Sequence, residues 1–116
     1  MVEMSREEFE DAVREGLDLI PDDLTALIDN VVILVEDKTP PGRPNLLGLY
    51  QGVSRTRRGN DWGMGQVPDR ITIYRSSIQR ICTTPEQVHK RVAKTVVHEV
   101  GHHFGINDAR LHELGY

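Results

Sequence analysis

The sequence predicts an α+β fold, in which N-terminal helices and a small mixed β-sheet pack with one long helix near the C-terminus. Three observations support this prediction. Apolar residues recur at helical spacing after Ser5, β-branched and alternating runs follow in the middle of the chain, and valines recur every four residues after Thr84. Since the strands are grouped between helices, they are expected to form their own layer. A chain of 116 residues is expected to form one domain, residues 1–116.

Two helices are predicted at the N-terminus. Ser5 and Glu8 have the spacing of a capping box, and the apolar periodicity that follows predicts a helix over residues 6–19. Pro21 ends this helix, because proline cannot continue the helical hydrogen bonds. A short second helix over residues 22–29 is expected to place its apolar residues on one side: Leu24, Leu27 and Ile28.

Three strands are predicted in the middle of the chain. The continuous β-branched run over residues 31–35 predicts a buried strand, and the alternating run over residues 70–74 predicts a half-buried one. Residues 46–51 form a weaker candidate, because Gly48 lowers strand propensity. Residues 52–68 contain several glycines and no periodicity, which indicates a long loop.

A long helix is predicted near the C-terminus, after at least one helical turn over residues 76–82. Thr84 is a suitable N-cap, Pro85 fits the first helical position, and Gln87 can complete a capping box. The helix is expected to end at Gly105 and to present one apolar face, formed by Val88, Val92, Ala93, Val96, Val100 and Phe104.

The composition excludes several classes of protein. Hydrophobic residues make up 38% and charged residues 28% of the chain, which is typical of a soluble globular protein. No apolar run reaches the ~18 residues of a membrane-spanning helix. The first residues are acidic and lack the apolar core of a signal peptide, so we expect a cytoplasmic location and no membrane partner. Cys82 is the single cysteine, and we interpret it as a small buried residue and not as a nucleophile.

Charge is distributed unevenly along the chain. Residues 1–30 carry ten acids and two arginines, whereas residues 31–116 carry twelve bases and eight acids, which together give the net charge of −4. The densest basic cluster falls in the predicted long loop and is too small for a nucleic-acid interface: Arg55, Arg57 and Arg58. No nucleic-acid partner is therefore expected.

The segment from His98 to Asp108 reads H-E-x-x-H-x-x-G-x-x-D. Two histidines four residues apart lie on the same face of a helix, so His98 and His102 can reach one metal ion. Glu99 projects beside this pair, where it can accept a proton from a metal-bound water. An H-E-x-x-H helix is typical of zinc peptidases, in which the glutamate is the catalytic general base.

A third metal ligand is predicted after the helix. Catalytic zinc usually has three protein ligands and one open position. Gly105 can adopt the left-handed conformation that ends a helix, and Asp108 follows three residues later with a carboxylate. The predicted site therefore consists of Zn²⁺ held by His98, His102 and Asp108, with Glu99 as the catalytic residue.

In this motif the chain resembles the metzincin branch of the zincin metallopeptidases, with Asp108 in place of the usual third histidine. The stretch from Thr95 to Tyr116 more closely resembles a small family of minimal zincin-like metallopeptidases of bacteria, and residues 47–52 and 68–74 also look like that family. The resemblance implies a minimal zincin-like fold, in which the sheet covers the metal-bearing helix and an edge strand borders the cleft. It also implies hydrolysis of a peptide or protein substrate, and we expect a monomer.

Other interpretations of the motif remain open. The histidines could be a surface pair, or the metal could only stabilise the fold. The chain could also be an inactive zincin-like metal-binding scaffold that acts as a protein-interaction module. Larger metzincins have a methionine turn after the motif, whereas Met1, Met4 and Met64 all precede it here, which favours the scaffold. Glu99 favours the enzyme, because a structural metal site needs no carboxylate beside an open position.

Several nearby residues are weaker candidates for a role in the site. His103 is expected to point about 100° away from His102 around the helix, so it is not predicted as a ligand. Glu113 is set aside because peptidases with a glutamate as zinc ligand bring it from a separate second helix, and the fourteen residues after His102 leave little room for one. Three residues are candidates for stabilising the transition state: Tyr50, His112 and Tyr116.

Overall fold

The computed structural model describes residues 1–28, 30–52, 68–113 and 115, and for Leu27 and Asp108 it describes the backbone alone. The predicted loop over residues 52–68 lies outside the described residues except at its two ends, as does the arginine cluster within it.

Two helices form the N-terminal part of the fold. Helix α1 spans Arg6–Asp18 and helix α2 spans Asp22–Thr25, and a 3₁₀ turn over Ala26–Ile28 continues α2. The predicted capping box is confirmed, because the Ser5 side chain accepts a hydrogen bond from the backbone N–H of Glu8 and the Glu8 carboxylate accepts one from that of Ser5. The second helix is shorter than predicted, since its last turn tightens to 3₁₀ geometry.

The predicted small mixed sheet is confirmed. Strands β1 (Val31–Glu36), β2 (Gly48–Gln51) and β3 (Asp69–Tyr74) form it in the order β1-β3-β2. Strand β1 is parallel to β3, with Val31 opposite Asp69, whereas β2 is antiparallel to β3. Both outer strands therefore depend on β3 for their backbone hydrogen bonds.

The burial of the strands differs from the prediction. Strand β1 is an edge strand, and its alternate residues Val32 and Leu34 are 41% and 38% exposed. Strand β3 is the central strand and is buried on both faces from Ile71 to Tyr74. The predictions of a buried first strand and a half-buried last strand were wrong, because a strand's burial depends on its neighbours as well as on its own sequence.

Helix α3 spans Arg75–Ile81 and the long helix α4 spans Pro85–His103. Thr84 caps α4 as predicted, since its hydroxyl accepts a hydrogen bond from the backbone N–H of Gln87 at 3.2 Å. The Gln87 side chain accepts from the backbone N–H of Thr83, one residue earlier than predicted. Five of the predicted apolar-face residues are buried: Val88, Val92, Ala93, Val96 and Val100. Phe104 is 54% exposed, because α4 ends before it.

A tight turn at Gly105 ends α4, as the sequence predicted. Gly105 has a φ of 80°, which glycine adopts without a Cβ clash. The N–H of Gly105 donates to the carbonyl of His102 at 3.1 Å, and the N–H of Ile106 donates to that of Gly101 at 2.7 Å. This pair of hydrogen bonds is a Schellman motif. Helix α5, Asp108–Glu113, begins directly after it.

The core lies between the sheet and the helices. Helix α1 packs along α4 on one side, and Ile71 and Ile73 of β3 contribute from the sheet. In the part of the chain that the structure describes, no helix has the length and apolar character needed to span a membrane.

Candidate metal centre and cleft

A cleft of about 350 Å³ runs along the exposed side of α4. One wall is the helix itself, and the other is the segment that leads into β2. The lining residues are Asn45, Leu46, Leu47, Gly48, Arg91, Lys94, Thr95, His98, Glu99 and His102. The side chains of His98, Glu99 and His102 therefore all line one cavity.

The two histidines of the motif are close enough to share a metal ion. The ring centroids of His98 and His102 are 5.8 Å apart, and the rings are nearly perpendicular at 83°. Two imidazoles bound to one tetrahedral zinc ion, with Zn–N bonds of about 2 Å, have ring centroids about 5 Å apart. Small side-chain adjustments would bring both nitrogens onto one ion, so this pair fits zinc.

Glu99 is half-buried on the wall of the cleft. Burial raises the pKa of its carboxyl above the ordinary value, against the opposing effect of Arg43 and the two histidines. The cause is loss of hydration, which disfavours the charged form of a carboxyl group. Glu99 lies beside His98 and His102 on one wall of the cleft, which is the position of the general base in an H-E-x-x-H site.

Gly48 allows β2 to approach the helix. A Cβ atom on Gly48 would lie 2.8 Å from the side-chain methyl of Thr95 and 3.2 Å from the carbonyl oxygen of Thr72. A larger residue at position 48 would therefore force the Thr95 side chain or the strand to shift. Gly48 weakened the prediction of β2, but the close packing of β2 against α4 requires it.

The third predicted ligand, Asp108, begins α5 directly after the Gly105 turn, and its side chain lies outside the described residues. Helix α5 is held by Leu111, which is fully buried and packs against Gly101 of α4. Asn107 caps α5 by accepting a hydrogen bond from the N–H of Arg110 at 2.9 Å. Among the side chains described, no three His, Cys, Asp or Glu residues are grouped as a metal site, so the third ligand remains a prediction.

His103 lies in a separate cluster, away from the cleft. Its ring stacks on Tyr50 with a centroid separation of 4.0 Å, and its Nε2 is 3.9 Å from a carboxylate oxygen of Asp69. The Tyr50 hydroxyl donates to Asp69 at 2.5 Å. This cluster joins the end of α4 to β2 and β3. No local pattern in the sequence indicated Asp69, since its partners are distant in the chain.

The remaining candidates are placed as follows. Tyr50 does not line the cleft, because its side chain lies in the His103 cluster. His112 is exposed on α5, and Glu113 forms an ion pair with Arg110 at 2.8 Å. Tyr116 lies outside the described residues.

Cys82 is 2% exposed, and burial raises the pKa of its thiol. The interpretation of Cys82 as a small buried residue is confirmed, because a buried neutral thiol is a poor nucleophile.

Comparison with known proteins identifies the family. The model for zincin-like metallopeptidases matches residues 28–116, so the chain belongs to the zincin-like metallopeptidase family. Among solved structures, a conserved hypothetical protein from Thermo thermophilus is similar, with 23% identity, a TM-score of 0.54, and coverage of 86% of this chain and 94% of that one. That likeness supports the fold. No curated protein matches the sequence.

Proposed function

We propose that this protein is a zinc-dependent peptidase. The observation that carries the proposal is the convergence of His98, Glu99 and His102 on one cleft, in a chain of the zincin-like metallopeptidase family. A carboxylate beside two histidines with a spacing that suits zinc is the arrangement that metal-assisted hydrolysis requires.

The metal would be held by His98, His102 and Asp108. Zinc bound there would supply Lewis-acid chemistry, lowering the pKa of a bound water toward ~7 and polarising the substrate carbonyl. Glu99 accepts the proton of the attacking water, since its carboxylate lies on the same cleft wall as the two histidines. Glu99 then returns this proton to the leaving amine, so one residue is base and acid in turn.

The substrate would be a peptide in extended conformation. Strand β2 is at the edge of the sheet, and among the described residues its outer side pairs with no other strand. An extended chain can add to such an edge through backbone hydrogen bonds. A monomer, a cytoplasmic location and the absence of nucleic-acid or membrane partners stay predictions from the sequence.

Replacing Glu99 with glutamine tests the proposal. Glu99→Gln keeps the size of the side chain and removes the base, so we expect unchanged zinc content and a loss of cleavage of at least about 10²–10⁴-fold, the usual effect of removing a general base. Zinc is measured by elemental analysis of protein purified without chelator, and cleavage is measured with a broad peptide library.

Two results would contradict the proposal. Equal cleavage by wild type and Glu99→Gln would assign the activity to other chemistry. Absence of cleavage by the zinc-loaded wild type across the library would support the inactive scaffold instead.

A further inference from the structure

Two basic side chains line the cleft at the end away from the Gly105 turn. Arg91 and Lys94 lie seven and four residues before His98, on the side of α4 that faces the cleft. With a helical rise of 1.5 Å per residue, their Cα atoms lie about 10 Å and about 6 Å from that of His98 along the axis. Both side chains are half-buried, and they stand at the rim of the cleft, where they also border a neighbouring groove that contains Lys90.

Neither cation has a carboxylate partner within the described part of the chain. Four other arginines do form ion pairs there: Arg6, Arg14, Arg75 and Arg110. The acid that shares the cleft is Glu99, and Arg43 also lies near enough to influence it. The cleft therefore contains two positive charges beside the apolar side chains of Leu46 and Leu47, although the whole chain has a net charge of −4.

Two cations on one cleft wall, with no carboxylate partner among the residues that the structure describes, can together bind an anion. An arginine guanidinium can donate two parallel hydrogen bonds to a carboxylate, and a lysine ammonium can add a third donor from another direction. An extended peptide advances about 3.3 Å per residue, so a group that reaches Arg91 or Lys94 lies about two or three residues from a carbonyl next to His98.

We propose that Arg91 and Lys94 form a carboxylate-binding subsite, which selects peptides with an acidic side chain or a free C-terminal carboxylate about two or three residues from the bond that is attacked. This inference rests on the proposed peptidase function and names its substrate class. Both sources of the carboxylate have the same chemistry, so the experiment separates them.

The test measures binding, which does not require cleavage. Protein carrying Glu99→Gln is titrated into fluorescently labelled peptides, and anisotropy reports the Kd at low salt. One peptide series is amidated and carries a single glutamate at successive positions, a second carries glutamine at those positions, and a third carries glutamine with a free C-terminus. We expect glutamate or the free carboxylate to improve affinity by about tenfold or more, the usual effect of a charge-assisted hydrogen bond.

Matched variants assign this preference to the two cations. Arg91→Gln combined with Lys94→Gln should abolish the preference, and Arg91→Lys should keep part of it. Lys90→Gln removes the same charge from an exposed position of the same helix outside the cleft, so it should leave the preference unchanged. Circular dichroism checks the fold, and the single variant Lys94→Gln replaces the double one if that fails to fold.

The outcomes separate this inference from the proposed function. Equal affinity for the glutamate, glutamine and free-carboxylate peptides overturns the subsite, even when the wild type cleaves peptides. Acid-selective binding that the double variant loses supports the subsite, even when the zinc-loaded wild type cleaves nothing. An acid preference that survives in the double variant overturns the assignment to Arg91 and Lys94.

Discussion

Glu99 shows how the surroundings of one residue set its chemistry. It is half-buried, which raises the pKa of its carboxyl, and the two histidines of the motif oppose that rise. The motif alone predicts the position of Glu99 relative to His98. The depth of the cleft and the proximity of Arg43 come from the segment that packs opposite α4, which no spacing within the motif reveals.

The third metal ligand gives a prediction at the residue scale. Asp108→Ala should weaken zinc binding by more than about 100-fold, since even residues that only orient a ligand contribute about 10–100-fold. His103→Ala is the matched control and should weaken it less than about tenfold, because His103 stacks on Tyr50 away from the cleft. Competition with a zinc-binding dye at neutral pH measures both variants.

A larger loss of zinc affinity in His103→Ala than in Asp108→Ala would contradict this assignment of the ligands.

The site residues differ in how far the sequence could predict them. The helical face shared by His98 and His102 follows from their spacing alone. Arg91 and Lys94 line the same cleft, seven and four residues before His98. From the sequence alone they could not be distinguished from ordinary surface cations, because the sequence does not show that β2 packs beside them. The His103 cluster could not be predicted, because Asp69 is brought to it by sheet pairing.

At the scale of elements, helices were easier to predict than the roles of strands. The caps and valine spacing of α4 are local signals, and both its start and its end are confirmed. The strands were located correctly but their burial was predicted the wrong way round, since in the described part of the chain β3 pairs with a strand on each side and β1 on one side. Strand order is set by the tertiary structure and leaves little trace in the sequence of each strand.

The contact between β2 and α4 gives a prediction at this scale. Gly48→Ala should destabilise the protein by about 1–3 kcal/mol, the usual cost of overpacking a tight contact, because its Cβ would meet the methyl of Thr95. Urea unfolding, followed by circular dichroism, measures the change in the free energy of unfolding.

Thr95→Ser provides the matched control for Gly48→Ala. Serine lacks the methyl group but keeps the hydroxyl, which donates to the carbonyl of Arg91 at 2.7 Å. The double variant should recover part of the stability that Gly48→Ala loses. Full additivity of the two changes would show that this contact does not limit the approach of the strand.

At the scale of the whole molecule, Asp37 connects segments that are distant in sequence. Its carboxylate accepts a hydrogen bond from Nε of Arg75 at 2.8 Å and lies 3.4 Å from Nη1 of Arg6. Arg6 also donates to the carbonyl of Val35 at 2.6 Å, and Arg75 to that of Met4 at 2.8 Å. These bonds join the N-terminal segment and α1 to the end of β1 and the start of α3.

The Asp37 network should make stability depend on pH. The hydrogen bond from Arg75 is the main cause that lowers the pKa of Asp37 in the folded protein. A lowered pKa stabilises the fold above the unfolded pKa of about 3.9, and this contribution is lost as the pH falls through the folded value. Asp37→Asn should therefore be less stable than wild type at pH 7, and the difference should shrink at acid pH.

Urea unfolding at a series of pH values measures this difference. Glu3→Gln changes an exposed acid that has no described ion pair, so its stability should follow that of the wild type throughout. A gap between Asp37→Asn and wild type that stays constant down to pH values well below the unfolded pKa would show that Asp37 acts through packing and not through its charge.

The packing of α1 on α4 also has a consequence for synthesis of the chain. Helix α1 is made before α4, its main packing partner, and the whole sheet lies between them in the sequence. Because translation releases the N-terminal part first, α1 lacks its main packing partner until α4 has left the ribosome. A nascent chain therefore has no assembled cleft, and the proposed peptidase cannot attack neighbouring nascent proteins before its own α4 has emerged.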